Sequence, residues 1–173
     1  TGQQLTIAVE AAHGALAING GFATCTSPNP TPGVRTVVSG PSQLNGNPVM
    51  QVADTADLTL RNLEISDGYV GGLVLETGAG TATSRITLDN THVVHNSATE
   101  GGGIRLANYN TATMPERLSL QLIGNSIVGF NNASVRGGGI ACSNARLEMR
   151  NYATVRENRA GVAGFAGSLD GGG

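Results

Sequence analysis

The sequence predicts an all-β solenoid, a parallel β-helix folded as one domain across its 173 residues. Three observations predict it. Asparagine anchors recur at Asn62, Asn90, Asn125 and Asn151, at intervals of 28, 35 and 26 positions. Apolar residues around them alternate with a spacing of two, the period of a strand and not of a helix. Glycine and asparagine clusters separate the short strands, and self-similarity at 20–50 residues is the mark of a stacked repeat. About four coils are recognisable, preceded by an N-terminal cap-like region.

Composition agrees with a compact β-rich chain. Glycine is abundant at 26 residues, aromatics make up only 3% and charged residues 13%, while hydrophobic residues at 39% supply enough apolar surface to offset chain entropy. Every basic residue is arginine. The formal charge of −2 provides no field for nucleic acid, so no nucleic-acid partner is expected. No run approaches the roughly 18–20 apolar residues of a membrane-spanning helix, so the segment is not expected to span a membrane. The abrupt ends suggest a piece of a longer chain.

In chain order, residues 1–44 form the cap-like region with its first strands, LTIAVEA, ALAINGG and VRTVVSG, around a proline-rich loop that cannot continue a ladder. Residues 45–173 hold the repeat. Strand pairs Leu58/Leu60, Leu73/Leu75, Ile86/Leu88 and Leu147/Met149 keep the alternation; Leu120/Leu122 stands one position out of step, which implies a bulge or a longer turn in that copy. A second column, Gly68, Asn96, Asn131 and Asn158, interchanges only Gly and Asn. These two residues adopt the left-handed backbone most readily, so a sharp bend with positive φ is expected there in every coil. The first column, Asn62, Asn90, Asn125 and Asn151, is expected to stack as an amide ladder between coils. Glycines follow: Gly71-Gly72-Leu73, Gly102-Gly103-Ile104 and Gly138-Gly139-Ile140.

The recurring V-x-x-N-x-A followed by GGGI (Val93, Asn96, Ala98; Val128, Asn131, Ala133) resembles the polymorphic outer-membrane protein repeat. More broadly, residues 58–165 are similar to secreted right-handed parallel β-helix proteins of Gram-negative bacteria, including autotransporter passengers. That repeat usually places Phe three residues before Asn; here Val stands there, and Phe130 falls one position before Asn131. The resemblance implies a right-handed parallel β-helix and a secreted or bacterial cell-surface location. It also implies an adhesin-like role, with no catalytic residues to carry over.

Candidate sites follow from the columns. Arg61 should lie under Asp89, Glu64 under His92 and Asp67 under His95, as register-fixing pairs. The same residues, Asp67, Asp89, His92 and His95 with Glu100, form a surface cluster that could serve as a metal or acid/base site. Residues three apart on a strand point to opposite faces, so His92 and His95 are expected as a solvated ladder instead. No catalytic residue, metal site or cofactor is assigned. A polysaccharide lyase or hydrolase of the pectate-lyase-like superfamily is the enzymatic alternative. It is ranked lower because the carboxylates are scattered (Asp54 and Asp57 come nearest to a pair) and aromatic sugar platforms are few. The loops at Thr77–Ser84 and Ala107–Arg117 leave from corresponding places in adjacent coils. Thr77, Thr81, Asn108, Tyr109, Asn110 and Arg117 are thus the expected contact residues for a glycan or protein on a cell surface. Unpaired strand edges at the ends of the stack raise end-to-end self-association into filaments as a further alternative. Cys142 takes an inward position as a small buried hydrophobe, and Cys25, several coils away, is not expected to bond to it.

Overall fold

A computed structural model describes residues 5–8, 15–24, 26–40, 46–53, 57–77, 83–109 and 118–161. The described residues contain no helix; they form eighteen short strands. The first rung is β1 (Leu5–Ala8), β2 (Ala15–Asn19) and β3 (Thr36–Ser39), and the second is β4 (Met50–Ala53), β5 (Asp57–Arg61) and β6 (Leu63–Ser66). From the third rung a fourth strand is added: β7 (Leu73–Thr77), β8 (Ser84–Asp89), β9 (His92–Val94) and β10 (Ser97–Glu100). Next come β11 (Ile104–Asn108), β12 (Leu118–Ile123), β13 (Ile127–Gly129) and β14 (Asn132–Arg136). The last described rung is β15 (Ile140–Ser143), β16 (Arg146–Met149), β17 (Thr154–Arg156) and β18 (Arg159–Ala160).

Equivalent strands of successive rungs pair in parallel. They build sheet A (β1-β4-β7-β11-β15), sheet B (β2-β5-β8-β12-β16), sheet C (β3-β6-β9-β13-β17) and the three-stranded sheet D (β10-β14-β18). The chain is therefore a parallel β-solenoid. The N-terminal strands β2 and β3 join it as a rung of their own, paired in parallel with β5 and β6.

Alternation places the core. Leu73, Leu75, Ile104 and Leu106 of sheet A, Leu58, Leu60, Ile86, Leu88, Leu120 and Leu122 of sheet B, and Ile65, Val93 and Val128 of sheet C meet along the axis and are essentially inaccessible. Each large aliphatic side chain so buried contributes about 1.5–3 kcal/mol. The columns are in strict register: Leu120 stands beside Ile86 and Leu122 beside Leu88. The expected misstep in this copy is therefore a longer turn and not a strand bulge. Gly124 stands beside Asn90, with Asn125 added in the turn before Ser126.

The two asparagine columns exchange roles relative to expectation. Positive φ falls at Asn62 (52°), Asn90 (50°) and Asn151 (58°), with Gly124 (61°) taking that place in the third repeat. The second left-handed corner falls one residue before the expected column, at Asp67 (62°), His95 (58°), Phe130 (57°) and Glu157 (55°). Gly68, Asn96, Asn131 and Asn158 are not left-handed; the last three carry the buried amide ladder instead. Asn96 Nδ2 donates to Asn131 Oδ1 (3.1 Å) and Asn131 Nδ2 to Asn158 Oδ1 (3.0 Å). Each Oδ1 accepts a backbone N–H of the preceding rung, from Gly68 (2.8 Å), Asn96 (2.9 Å) and Asn131 (3.0 Å). Each Nδ2 donates back to a carbonyl of that rung, at Ile65, Val93 and Val128. The amides thus satisfy backbone groups at a corner where no strand partner exists, groups that would otherwise cost about 1–3 kcal/mol each. In the first column Asn90 Nδ2 donates a hydrogen bond to Asn62 Oδ1 (2.7 Å), and Arg35 covers it by donating to Asn90 Oδ1 (2.9 Å).

A hydroxyl ladder runs beside it at the corner between sheets B and C. Thr91 Oγ1 donates to Leu60 O (3.0 Å), Ser126 Oγ donates to Leu88 O (3.0 Å) and accepts Thr91 N–H (3.1 Å). Both residues are fully buried. Cys142 departs from expectation. It shares a register column with Leu106, but β15 ends sheet A, so its side chain is exposed where Leu106 is enclosed between two rungs. Cys25 lies outside the described residues.

Candidate functional site

The outward face of sheet A carries a cleft. Outward positions alternate with core positions along β11 and β15, which puts Arg105, Ala107, Ala141 and Ser143 on this face. Ala107, Ala141 and Ser143 are small, so the sheet surface between taller neighbours becomes a cleft of about 400 Å³. One wall is Arg105 with Tyr109. Arg105 Nη2 donates to Glu76 Oε1 (2.9 Å) and to the Tyr109 hydroxyl, and Tyr109 Oη donates to the same Glu76 oxygen (3.0 Å). The opposite wall is Arg136, whose Nε and Nη2 each lie 3.1 Å from one oxygen of Glu100, a two-pronged ion pair across β10 and β14. Cys142, between Ala141 and Ser143, shares the core-side column of Leu106, so its side chain turns away from this face. Partial burial pushes its thiol above the ordinary value, and its Sγ donates to the Ala145 carbonyl (3.2 Å).

Charge is balanced, since each of the two lining arginines is ion-paired, Arg105 with Glu76 of the neighbouring β7 and Arg136 with Glu100. Both guanidinium groups carry more N–H donors than these bonds use, and Tyr109 presents its ring to solvent at 57% exposure. Donors, acceptors and an apolar ring face therefore converge on one concavity.

Of the loop residues expected to touch a partner, Tyr109 alone is placed in this cleft. Thr77 and Asn108 are buried, with Thr77 Oγ1 donating to Asn108 Oδ1 (3.1 Å), because they extend the inward face of β7 and β11 by one more step. Thr81, Asn110 and Arg117 lie outside the described residues, as do Asp54 and the greater part of both loops.

The acid–histidine cluster is dispersed around the solenoid. Arg61 and Asp89 stand in register and form an ion pair (3.1 Å). Glu64 and His92 are also register partners, but no ion pair joins them. His92 Nε2 is buried without a hydrogen-bond partner. Burial first, and then the nearby charges of Arg35 and Arg156, lower its pKa against a hydrogen bond to the Asn125 backbone. His95 turns outward at its left-handed corner and stacks on Phe130 one rung along (5.3 Å, 17°), with the Arg156 guanidinium 5.8 Å from the same ring. Asp67 accepts the Ser66 hydroxyl (2.8 Å). Glu100 belongs to the cleft on sheet A. Among the described residues, no group of three or more His, Cys, Asp or Glu side chains could hold a metal ion.

Sequence reasoning missed Arg105, Glu76 and Arg136. A signal was present. The alignment of Leu73 with Ile104 and Ile140 also aligns the outward residues between them, and it sets Glu76 diagonally across from Arg105. No helix of the described residues is long and apolar enough to cross a membrane. No protein-family model, no curated protein and no solved structure matches this chain.

Proposed function

We propose that the chain is a non-enzymatic module of an extracellular or cell-surface protein, adhesive or structural in role. One observation carries this reading: the polar and charged side chains engage their equivalents in neighbouring rungs. Asn96, Asn131, Asn158, Thr91 and Ser126 tie backbone to backbone, while Arg61–Asp89, Arg105–Glu76 and Arg136–Glu100 bridge rungs on the surface. Side chains held this way stiffen a rod and present a fixed outer face. The resemblance of V-x-x-N-x-A and GGGI to polymorphic outer-membrane protein repeats supports a bacterial surface as the setting. The test is binding of the fluorescently labelled chain to bacterial and host cell surfaces, run beside an assay for new reducing or unsaturated ends on acidic polysaccharides. Surface binding without turnover is expected; turnover would replace this reading with a lyase or hydrolase.

Self-association is a second reading, favoured by the ends of sheet B. Leu147 and Met149 of β16 are 38% and 42% exposed although they share columns with the buried Leu120 and Leu122, and Leu16 at the opposite end is 36% exposed. A head-to-tail copy would continue the same columns, and such a contact does not close. Sedimentation showing a monomer at every concentration would remove it.

A further inference from the structure

We infer that the cleft on the outer face of sheet A is a binding site for a neutral oligosaccharide of one to three rings. This assignment rests on the reading of the chain as a binding module and names its ligand class. The cleft's balance of charge selects among ligands. A uronate or phosphate entering it would meet the Glu100 carboxylate, and both guanidinium groups are already occupied, Arg105 by Glu76 and Arg136 by Glu100. A purely apolar ligand would strip water from two ion pairs and supply nothing in return, which is costly. A sugar hydroxyl both donates and accepts, so adjacent hydroxyls can bridge an arginine N–H and the neighbouring glutamate oxygen at once. The walls offer that donor–acceptor arrangement twice, at Arg136–Glu100 and at Arg105 with the Tyr109 hydroxyl.

The apolar side of a sugar ring has partners as well. Tyr109 holds its hydroxyl against Glu76 and Arg105 while its ring stays exposed, an amphipathic anchor fixed at its polar end. Ala107 and Ala141 make a floor without protruding groups, and the volume of about 400 Å³ is within the range of small-ligand sites. A peptide would seek the open strand edges of the solenoid instead, because its main-chain groups need a ladder. Outward faces of paired strands provide none.

The test uses the whole chain. Maltotriose, cellotriose, laminaritriose, mannotriose and N,N′,N″-triacetylchitotriose are titrated calorimetrically against trigalacturonate as the acidic control. The same titrations are run on Tyr109→Ala and on Arg136→Ala, positions on opposite walls of the cleft. At least one neutral trisaccharide is expected to bind more tightly than trigalacturonate. Tyr109→Ala should weaken that binding by about tenfold or more, the usual effect of truncating an anchor side chain. Far-UV circular dichroism checks that both variants fold, and Arg136→Ala, which removes a largely exposed side chain, should weaken the same binding independently of Tyr109. No neutral-sugar binding at millimolar concentration, stronger binding of trigalacturonate, or binding that both variants leave unchanged would overturn the assignment. Loss of neutral-sugar binding with cell-surface binding retained overturns this assignment alone. Cleavage of a bound trisaccharide overturns only the non-enzymatic reading.

Discussion

A Cβ placed on Gly103 would stand 2.7 Å from Nδ2 of Asn131, and the same clash recurs between Gly72 and Asn96 (2.6 Å) and between Gly139 and Asn158 (2.6 Å). The glycine column and the amide ladder are therefore one device. Each asparagine reaches inward to bond the preceding rung, and the strand entering sheet A passes so close that only hydrogen fits. The motif pairing N-x-A with GGGI follows from this contact.

Gly103→Ala should therefore destabilise the chain by about 2–4 kcal/mol, combining overpacking with a displaced ladder amide. Asn131→Ala should cost a similar amount, because Asn96 N–H and Val93 O lose their partner in a buried corner. The double variant should lose clearly less than the sum, since the second change relieves the clash caused by the first. Urea unfolding of the three proteins measures it; full additivity would show the two columns to be independent.

Thr91→Val keeps the shape and deletes the hydroxyl that bonds Leu60 O and Asp89 O. A loss of about 1–3 kcal/mol is expected in thermal melting. Thr87→Val, half-buried on the outward side of β8, should stay within about 0.5 kcal/mol.

Glu157 holds φ at 55° on an exposed corner, where a left-handed non-glycine residue costs roughly 1–2 kcal/mol. Its ion pair with Arg156 is long, at 3.7 Å, and both partners are exposed. Glu157→Gly is expected to raise stability by up to about 1 kcal/mol, the relief of strain being partly offset by the greater freedom of the unfolded chain. A lower melting temperature would contradict this.

His92 has a folded pKa below the ordinary value of about 6.5. Between those two values the unfolded chain binds more protons than the folded one. Stability is thus complete above about pH 6.5, falls as pH drops through the window, and levels off below the folded pKa. Urea midpoints across this range should show that slope, and His92→Gln should remove its share of it. An unchanged slope in the variant would assign the dependence to other groups.

Arg61 and Asp89 pair at half-exposed positions. Arg61→Ala is expected to cost no more than about 1 kcal/mol, with the difference shrinking in high salt. A larger loss that salt does not alter would mean that Arg61 acts through packing.

The sequence by itself determined the architecture. Period-two spacing at Leu58/Leu60 and Ile86/Leu88, and asparagines and glycines returning near every thirtieth position, are local properties that stacking forces to repeat. They were legible without coordinates, as was the Arg61–Asp89 register. The tertiary structure decided which asparagine column does which work. Asparagine suits both a left-handed bend and a buried amide ladder, so residue identity cannot separate Asn90 from Asn96; only the carbonyls and N–H groups of the preceding rung can. It likewise decided that Thr77 and Asn108 face inward, because a loop's first residues continue the strand's alternation. The cleft was decided there too. Glu76 belongs to one rung and Arg105 and Tyr109 to the next, and the three meet only when β7 and β11 pair; whether a side chain on an outward face is buried or exposed depends on what the neighbouring rung places beside it.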